Sequence, residues 1–522
     1  MKCYTGAILT VDRDNRVVRY LVEDGGKIVY TGDTLPEEYQ SAERIDLGDR
    51  ALVPSFADTH EHLASYAIFH AGLNVMEAVS NKEIMQLLGD FAAREKGRTL
   101  IAFGASPYSV AEGRLISREE LDSVVPDREV MVVKYDGHAC IVNSKLLARL
   151  KRKVEGLRGY HPDTGEMNQE AFFKVSDDIT GSISVLGLIG HMQQAVDDLA
   201  KKGIGCVHTV SGVGFPMNLD ITMEMLFAKS LKNGFQVRVF PQSLDVNTAL
   251  RRGLPRIGGC FQCALDGCFG SHDAAMNQPY ADDGKDLGVL YYDDEKVTAF
   301  CKKANRAGLQ IELHAIGDRA FDQACRCLKA ALDDFPREDH RHGIIHDCLP
   351  TAEGLAICQQ YHIQMPVQSA FIGWKQEPDE YLAQILGPER AEALNPLRDF
   401  WDKGVMISAG SDAPCTEPDP IAWMDKAVNH TNPAQRLTVQ EALRMCTVNG
   451  YAAAFDDDTR GTLEMGKVAD MVILSGNPYE TPADKLHTLQ VEQLLLAGKP
   501  YASCKRPVVP SLVAAMFSSA KA

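Results

Sequence analysis

The sequence predicts an α/β protein with a (β/α)8 TIM-type barrel and a second, smaller domain made from both ends of the chain. Strand-like stretches, including residues 100–104, 130–135 and 405–410, alternate with helix-like ones through the middle. Both ends instead carry short strand-like segments separated by glycine turns. Finally, residues suited to binding a metal follow the middle strands at intervals close to one strand-helix unit.

The two ends of the chain are predicted to form one discontinuous domain. Stretches such as 17–22 and 491–496 are short and lie between Gly and Asp turns, a pattern typical of antiparallel strands. Sheet fragments of this size are not stable alone, so we expect the two to pack together. The predicted parts are therefore residues 1–51, the barrel at 52–455, and 456–522 with a C-terminal tail.

The first barrel strand is predicted in ALVPSFADTHEH, residues 51–62, an apolar run that ends in His-x-His. Side chains two apart on a strand point to the same face, so His60 and His62 would be presented to one site. Neutral imidazole is a ligand for zinc and other transition metals. A bare His-x-His is often incidental, and its interpretation depends on further ligands along the chain.

Those further ligands are His314, His346 and Asp412. His346 follows His314 by 32 residues and precedes Asp412 by 66, close to one and two strand-helix units. The three would then end strands five, six and eight, with His60 and His62 on strand one. Barrel enzymes place their chemistry at the carboxyl ends of the strands, so the five residues are predicted to form a metal site there rather than to be separate core residues.

One helix between these strands is predicted from its apolar spacing. It lies between His314 and His346. Its apolar face comprises Phe321, Ala324, Cys325, Leu328, Leu332 and Phe335.

Composition excludes some classes of partner. The 522-residue chain is 45% hydrophobic with a formal net charge of −17, which argues against a nucleic-acid partner because such binding requires Lys and Arg to neutralise phosphates. The N-terminus has no signal-like pattern, and no run of eighteen apolar residues occurs, so we expect a cytoplasmic protein with no membrane partner. The fourteen cysteines are interpreted as free thiols. The apolar tail at 508–516 is expected to pack on the body of the protein or on a partner subunit. The second arrangement would make the protein a homodimer or another homo-oligomer.

Several motifs together resemble the amidohydrolase superfamily. The similarity is strongest to its YtcJ-like branch, amidohydrolase 3, which includes N-substituted formamide deformylase. It spans almost the whole chain, and the motifs are PSFADTHEH (54–62), DGH (136–138) with VNSK (142–145), HAIGDR (314–319), IIHD (344–347), GSDAP (410–414) and GKVADMVIL (466–474). The resemblance implies a metal-dependent barrel hydrolase whose small terminal domain is a β-sandwich.

The resemblance also implies roles for the five predicted ligands. His60 and His62 would bind the more buried metal, and His314 and His346 the more exposed one. Asp412 would bind metal and move the proton. The cofactor would be zinc or another divalent transition metal, as one or two ions.

The segment GGCFQCALDGCFGS, residues 258–271, departs from the family pattern. Gln262 stands where the branch commonly has a lysine that, when carboxylated, bridges two metals. A neutral amide is a poor bridge, so either one metal suffices or another group replaces the lysine. Candidates are Glu166, Glu170 and, as a thiolate, Cys263. The alternative interpretation of the two glutamates is that they are solvated charges on a loop.

The predicted reaction is hydrolysis of a C–N bond other than a peptide bond, in a small-molecule amide, formamide, cyclic amide or carbamate. A metal-activated water would attack, with Asp412 as general base and then acid. His138 is the candidate oxyanion donor, and His208 and Trp374 are candidates for the substrate pocket. The alternatives are deamination of a heterocyclic amine and, in another class, a non-catalytic binding protein on a hydrolase scaffold.

Overall fold

The computed structural model describes residues 1–212, 218–518 and 522 and shows a mixed α/β fold. Its strands are β1 (Lys2–Leu9), β2 (Val17–Asp24), β3 (Lys27–Gly32), β4 (Glu43–Pro54), β5 (Phe56–Glu61), β6 (Leu73–Asn74), β7 (Thr99–Ala105), β8 (Glu129–Lys134), β9 (Ala139–Val142), β10 (Tyr160–His161), β11 (Glu166–Asn168), β12 (Ile204–Ser211), β13 (Gln236–Pro241), β14 (Arg256–Ala264), β15 (Gln310–Ala315), β16 (Gly343–His346), β17 (Met365–Val367), β18 (Ile407–Ala409), β19 (Met471–Leu474), β20 (Val491–Leu496) and β21 (Lys499–Pro500). Its α-helices are α1 (Leu63–His70), α2 (Asn81–Arg94), α3 (Arg118–Val124), α4 (Ser144–Val154), α5 (Gln169–Thr180), α6 (Val185–Lys201), α7 (Leu219–Ser230), α8 (Asn247–Leu250), α9 (Asp294–Arg306), α10 (Asp318–Asp334), α11 (Ala352–Tyr361), α12 (Asp379–Leu386), α13 (Pro388–Glu392), α14 (Leu397–Asp402), α15 (Pro420–Val428), α16 (Val439–Cys446), α17 (Val448–Ala453) and α18 (Val508–Met516).

Strands from both ends of the chain lie in one sheet, in the order β21-β20-β19-β4-β1-β2-β3. The two ends meet where β19 pairs antiparallel with β4, Val472 opposite Val53. Both strands are buried along this pairing, which gives each end the partner that it lacks alone. Over the described ranges these strands form a single hydrogen-bonded ladder of seven strands.

The strands that carry the predicted ligands are parallel and form three short sheets, β13-β12-β5, β14-β15-β16 and β17-β18. An isolated parallel bridge between Gly343 and Gln364 connects β16 to the residue before β17. A second, between Glu61 and Ala413, connects β5 to the segment after β18. The ladders of the described residues therefore give eight parallel strands in chain order, although not one continuous closed sheet. Parallel strands end at the same edge, so residues at their carboxyl ends are brought together.

A second sheet, in the order β10-β11-β9-β8-β7-β6, is inserted between β5 and β12. It contains the strands predicted around residues 100–104 and 130–135, which the sequence pattern grouped with the barrel strands. β7 and β8 are parallel and joined through helix α3, so locally they resemble a barrel unit. Only the antiparallel pairing of β9 with β8 distinguishes this arrangement from a barrel unit, and hydrophobic spacing does not reveal that pairing.

Helix α10 carries the predicted apolar face between β15 and β16. Phe321, Leu328 and Leu332 are buried, and each contributes about 1.5–3 kcal/mol through the apolar area removed from water. Phe335 was predicted to belong to this face, but it follows the last helical residue and is 42% exposed. Its extended backbone conformation at the C-cap turns it away from the core.

Three further observations concern membrane spans, the cysteine thiols and the C-terminal helix. Across residues 1–212 and 218–518, no helix combines the length and apolar character that crossing a bilayer requires. All fourteen cysteines are free, and most are buried. Helix α18 packs against α6 and α7, while Val509, Val513 and Met516 stay exposed.

Candidate metal centre

His60 and His62 lie at the carboxyl end of β5. His60 is the penultimate residue of the strand and fully buried, and His62 follows the strand and is 6% exposed. Their ring centroids are 5.3 Å apart. The alternation of side chains along the strand therefore brings the two imidazoles to one place.

His314 on β15 and His346 at the end of β16 join them. The two rings are 4.5 Å apart between centroids, and His346 is 5.3 Å from His60. His346 has a φ of 79°, in the left-handed region that non-glycine residues rarely adopt. Backbone strain of this kind concentrates at functional sites, where the surrounding structure holds it in place.

Asp412 closes the group from the segment after β18. Its backbone N–H donates to the His60 carbonyl at 2.7 Å, and its φ is 53°. The chain passes close to β5 here, because a Cβ on Gly410 would lie 2.8 Å from the His60 nitrogen. The Asp412 Oδ1 atom lies 3.2 Å from both the His60 and the His62 Nε2 atoms. Although burial opposes ionisation, the adjacent His60 and His62 rings hold the pKa of Asp412 well below its usual value.

Cys260 lies at the centre of this cluster, and the sequence did not identify it as a ligand. Its Sγ lies within 4.8 Å of ligand atoms of His60 and His62, and also within 4.8 Å of those of His314 and His346. Burial opposes ionisation of the thiol, but the neighbouring His314 and His346 hold its pKa well below the usual value. The thiolate is the form in which cysteine binds metal.

An irregularity in β14 explains why Cys260 was missed. The pairing of β14 with β15 slips between Gly259 and Ala264, and Phe261 has a φ of 41°. In a regular strand Cys260 and Gln262 would point to the same face. The slip breaks that alternation, so only Cys260 faces the cluster.

The structure therefore contradicts Gln262 as a bridging ligand. Its side chain is exposed, and its Nε2 donates to the Gly212 carbonyl at 3.1 Å. It belongs to a different surface cavity, with Lys174 and Asp177. Gln262 is close in sequence to Cys260, which faces the cluster, but its own side chain points away from the cluster.

The other three candidates for the second metal also lie outside the cluster. Glu166 is on β11 of the inserted sheet, and Glu170 forms an exposed ion pair with Arg158 at 3.2 Å. Cys263 is buried, burial raises the pKa of its thiol above the usual value, and none of the candidate ligand groups found among the described residues includes it. A solvated or structural role fits each of them better than metal binding does.

A hydrogen bond to His346 and a longer ion-pair contact to His314 orient these two ligands. His346 Nδ1 lies 2.6 Å from Gln368 Oε1, and His314 Nδ1 lies 3.4 Å from Asp266 Oδ1. Asp266 itself accepts backbone N–H groups, including those of Ile316 and Gly317. Such contacts fix the ring orientation and leave the other ring nitrogen for a metal.

The donor set fits a metal. Neither ring nitrogen of the buried His60 has a well-formed hydrogen bond to any residue that the structure describes. An unpaired buried imidazole is costly, and metal ligation removes that cost. Imidazole, thiolate and carboxylate together are the ligands of zinc and related transition metals.

A pocket with about 760 Å³ of empty space, open solvent included, opens onto the cluster. His138 and Trp374, both predicted from the sequence, line it. Trp374 stacks on Phe371 with centroids 5.0 Å apart, so one wall is aromatic. Glu377 contributes a carboxyl that accepts hydrogen bonds from the Tyr135 hydroxyl and the Gly270 N–H.

His208 does not line this pocket, contrary to the prediction. It is buried on β12, with its ring centroid 6.0 Å from that of Phe240. Burial and the nearby Arg256 lower the pKa of His208 well below its usual value, so it is neutral. It lies three residues before the end of β12, and no described residue of that strand lines the pocket.

Comparison with known proteins identifies the family of the chain. The amidohydrolase family profile matches residues 43–502. The chain is 25% identical to the putative amidohydrolase YtcJ of Bacillus subtilis, over 95% of this chain and 98% of that protein. It is 21% identical to the N-substituted formamide deformylase of Arthrobacter pascens, over 94% of this chain and 96% of that protein.

Solved structures share the fold. An uncharacterized metal-dependent hydrolase from Pyrococcus furiosus superposes with a TM-score of 0.74 at 23% identity, covering 92% of this chain and all of that one. The corresponding Pyrococcus horikoshii protein gives a TM-score of 0.73 at 24% identity over 92% of this chain and 99% of that one. With the profile match over most of its length, the chain belongs to the amidohydrolase family, in the branch that includes YtcJ.

Proposed function

We propose that the protein is a metal-dependent hydrolase that cleaves C–N bonds other than peptide bonds in small amides, formamides, cyclic amides or carbamates. The observation that carries the proposal is the cluster of imidazole, thiolate and carboxylate ligands at the carboxyl ends of parallel strands. Family membership supports hydrolysis. A non-catalytic scaffold would have no use for a buried ligand set opening into a pocket.

We propose that the cluster would hold up to two ions of zinc or another divalent transition metal, with the Cys260 thiolate available as a ligand to either. Among the described residues, His60, His62 and Cys260 form one candidate ligand group, and Cys260, His314 and His346 form a second. A third group, His60, His346 and Asp412, lacks the thiol. A thiolate carries the negative charge that a neutral glutamine lacks, so Cys260 replaces the expected bridging lysine. Thiolate and imidazole favour zinc over magnesium or calcium.

The metal supplies an activated water at neutral pH and polarises the substrate carbonyl. Asp412 accepts a proton from the attacking water and donates it to the leaving nitrogen as the C–O bond forms and the C–N bond breaks. Its backbone hydrogen bond to the His60 carbonyl holds the carboxylate against the two histidines.

We assign His138 as a donor to the substrate carbonyl oxygen. It lines the pocket with His62 and Asp412, and its ring centroid is 5.9 Å from that of Phe261. His138→Ala is expected to lower kcat by about 10²–10³-fold with metal content unchanged, because it removes an oxyanion donor but no ligand.

Steady-state kinetics and metal analysis of the same preparation measure both quantities. His161→Ala is the matched control, since His161 is an exposed histidine of the same inserted sheet. A His138 variant as active as the control would show that this ring does not contact the reacting group.

The pocket favours a substrate with an apolar or aromatic substituent beside the scissile bond. Phe261, Phe371, Trp374 and Leu382 supply the apolar wall. Burying such a substituent contributes about 25 cal/mol for each Å² of apolar surface removed from water. We therefore propose N-substituted amides with hydrophobic groups as the substrates to test first.

Deamination of a heterocyclic amine is the second candidate, and Glu377 favours it. Its carboxyl lines the pocket, and burial raises its pKa, so it retains a proton to higher pH than an ordinary glutamate. That proton is what ring protonation during deamination would need. Ammonia release from heterocyclic amines distinguishes this reaction from amide hydrolysis.

The proposal is tested by measuring metal and activity together. Protein purified without added metal is analysed by plasma mass spectrometry and then assayed by mass spectrometry of products formed from N-substituted formamides, acyl amides, cyclic amides and carbamates. Up to two equivalents of transition metal are expected, with loss of both metal and activity in His314→Ala, because His314 is a ligand. Protein that binds no metal, even after reconstitution, would overturn the proposal.

The same reasoning extends to the architecture. We propose that the eight parallel strands form a (β/α)8 barrel within residues 52–455, and that residues 1–51 and 456–522 form the smaller domain. Support comes from the bridge between Glu61 and Ala413, which connects the first strand to the segment after the last. The inserted six-stranded sheet then interrupts the barrel after its first strand.

A further inference from the structure

A second large cavity lies at the amino ends of the parallel strands, opposite the metal cluster. The part of the cavity that the centre of a water-sized molecule can reach has a volume of about 520 Å³. Arg256 and Gln310 are the first residues of β14 and β15, whereas Cys260 and His314 lie four residues further along the same strands. Four strand residues span about 13 Å, so the cavity and the metal cluster are separate sites.

The wall of this cavity is strongly basic. Five cationic side chains line it, and the acidic groups among its described lining residues are the Asp456 side chain and the terminal carboxylate of Ala522. The cations are Lys229, Arg238, Arg252, Arg256 and Arg337. In a chain with a formal net charge of −17, such a concentration of positive charge is local and specific.

Asp456 is already paired. Its Oδ2 accepts from the Arg238 Nε at 2.7 Å, and both side chains are nearly buried. Within the described ranges, the other four cations form no ion pair with a carboxylate of the chain. Arg252 and Arg337 donate only to uncharged acceptors, such as the Thr248 and Leu309 carbonyls, and these do not neutralise their charge.

Arg256 provides the independent sign of a ligand. Its side chain lines the cavity although the residue is only 5% exposed. Its Nε and Nη1 atoms are buried without a hydrogen-bond partner in the described part of the chain, and its Nη2 reaches only the Ala454 carbonyl at 3.5 Å. Buried guanidinium donors without acceptors are costly, and an incoming anion would satisfy them.

We propose that this cavity binds a small phosphate-type oxyanion, either free phosphate or the phosphate group of a phosphorylated metabolite. The planar guanidinium fork matches the geometry of two phosphate oxygens, and Lys229 adds a point charge beside it. The recess suits a small molecule better than the backbone of a nucleic acid, which needs an extended basic surface. The anion would neutralise charges that the chain itself leaves unpaired.

The test is calorimetric titration of the metal-loaded protein with inorganic phosphate and, separately, with glycerol 3-phosphate at constant ionic strength. Saturable binding is expected, weakened about tenfold or more in Lys229→Gln and in Arg252→Gln, because each loses a charge-assisted contact. Both side chains are half-buried at the wall, so these variants are expected to fold. Lys303→Gln, an exposed lysine on α9, is the matched control and is expected to bind normally.

A further variant separates this cavity from phosphate bound at the metals. Binding that persists in His314→Ala and weakens in Arg252→Gln supports the proposal. Binding lost in His314→Ala but retained in Arg252→Gln, or no saturable binding of either probe up to about 10 mM, would overturn it. Tighter binding of glycerol 3-phosphate than of phosphate identifies the ligand as a phosphorylated metabolite, and equal binding identifies it as free phosphate.

Discussion

Cys260→Ala is expected to reduce the metal content from two ions to at most one per chain and to lower kcat/KM by about 10²-fold or more. Loss of a hydrogen bond behind a ligand already costs about 10–100-fold in metal affinity or activity, so loss of a shared ligand costs at least as much. Cys260 belongs to two of the three candidate ligand groups among the described residues, and neither of those two is complete without it, whereas the third consists of His60, His346 and Asp412. Metal analysis by plasma mass spectrometry and kinetics on the same sample measure the two effects.

Two matched variants show whether the effect is specific to this thiol. Cys263→Ala removes a buried thiol three residues away that belongs to no ligand group, and Gln262→Ala alters the exposed side chain between them. Both are expected to retain the full metal content. If Cys260→Ala still held two ions with normal affinity, the shared thiolate ligand would be wrong, whereas loss of metal in Gln262→Ala would restore that residue as a ligand.

Asp412→Asn is expected to lower kcat by about 10²–10⁴-fold while most of the metal remains bound. The amide has the shape of the carboxylate but cannot accept the proton of the attacking water, and general base catalysis contributes a factor of this size. The histidines and Cys260 would still hold the ions. Single-turnover rates and metal content, measured across pH, separate loss of the base from loss of the metal.

Asp318→Asn makes the same chemical change where no catalytic role is expected. Asp318 begins helix α10 and accepts the Asn277 N–H at 2.7 Å, and it is not among the residues that line the pocket. We expect it to keep nearly normal activity. Equal activity of Asp412→Asn and this control would remove Asp412 from the proton transfer, and complete metal loss in Asp412→Asn would make it chiefly a ligand.

The sequence predicted the ligands that follow regular strands. His60 and His62 could be predicted because they lie two residues apart at a strand end. His314, His346 and Asp412 could be predicted because strand-helix units repeat at a nearly constant length. The structure brings these five residues together. Simple periodicity was sufficient there because the local backbone obeys it.

The features that the sequence did not reveal depend on irregular or long-range structure. The slip in β14 decides that Cys260 rather than Gln262 faces the cluster, and no periodic pattern encodes such a slip. The two adjacent glycines before Cys260, both with φ of 118°, are the signal that could have indicated it. The basic cavity was equally hidden, because its arginines come from distant segments.

The inserted sheet divides the pocket between two parts of the chain. His60, His62 and the other candidate ligands come from the parallel strands, whereas Asp136 and His138 come from the turn between β8 and β9 of the insertion. Changes in that turn can therefore reshape the substrate side without moving a ligand. The aromatic wall formed by Phe371 and Trp374 lies outside the insertion, so an exchange of residues 73–168 would replace the side of the pocket that carries Asp136 and His138 and leave that wall and the candidate ligands in place.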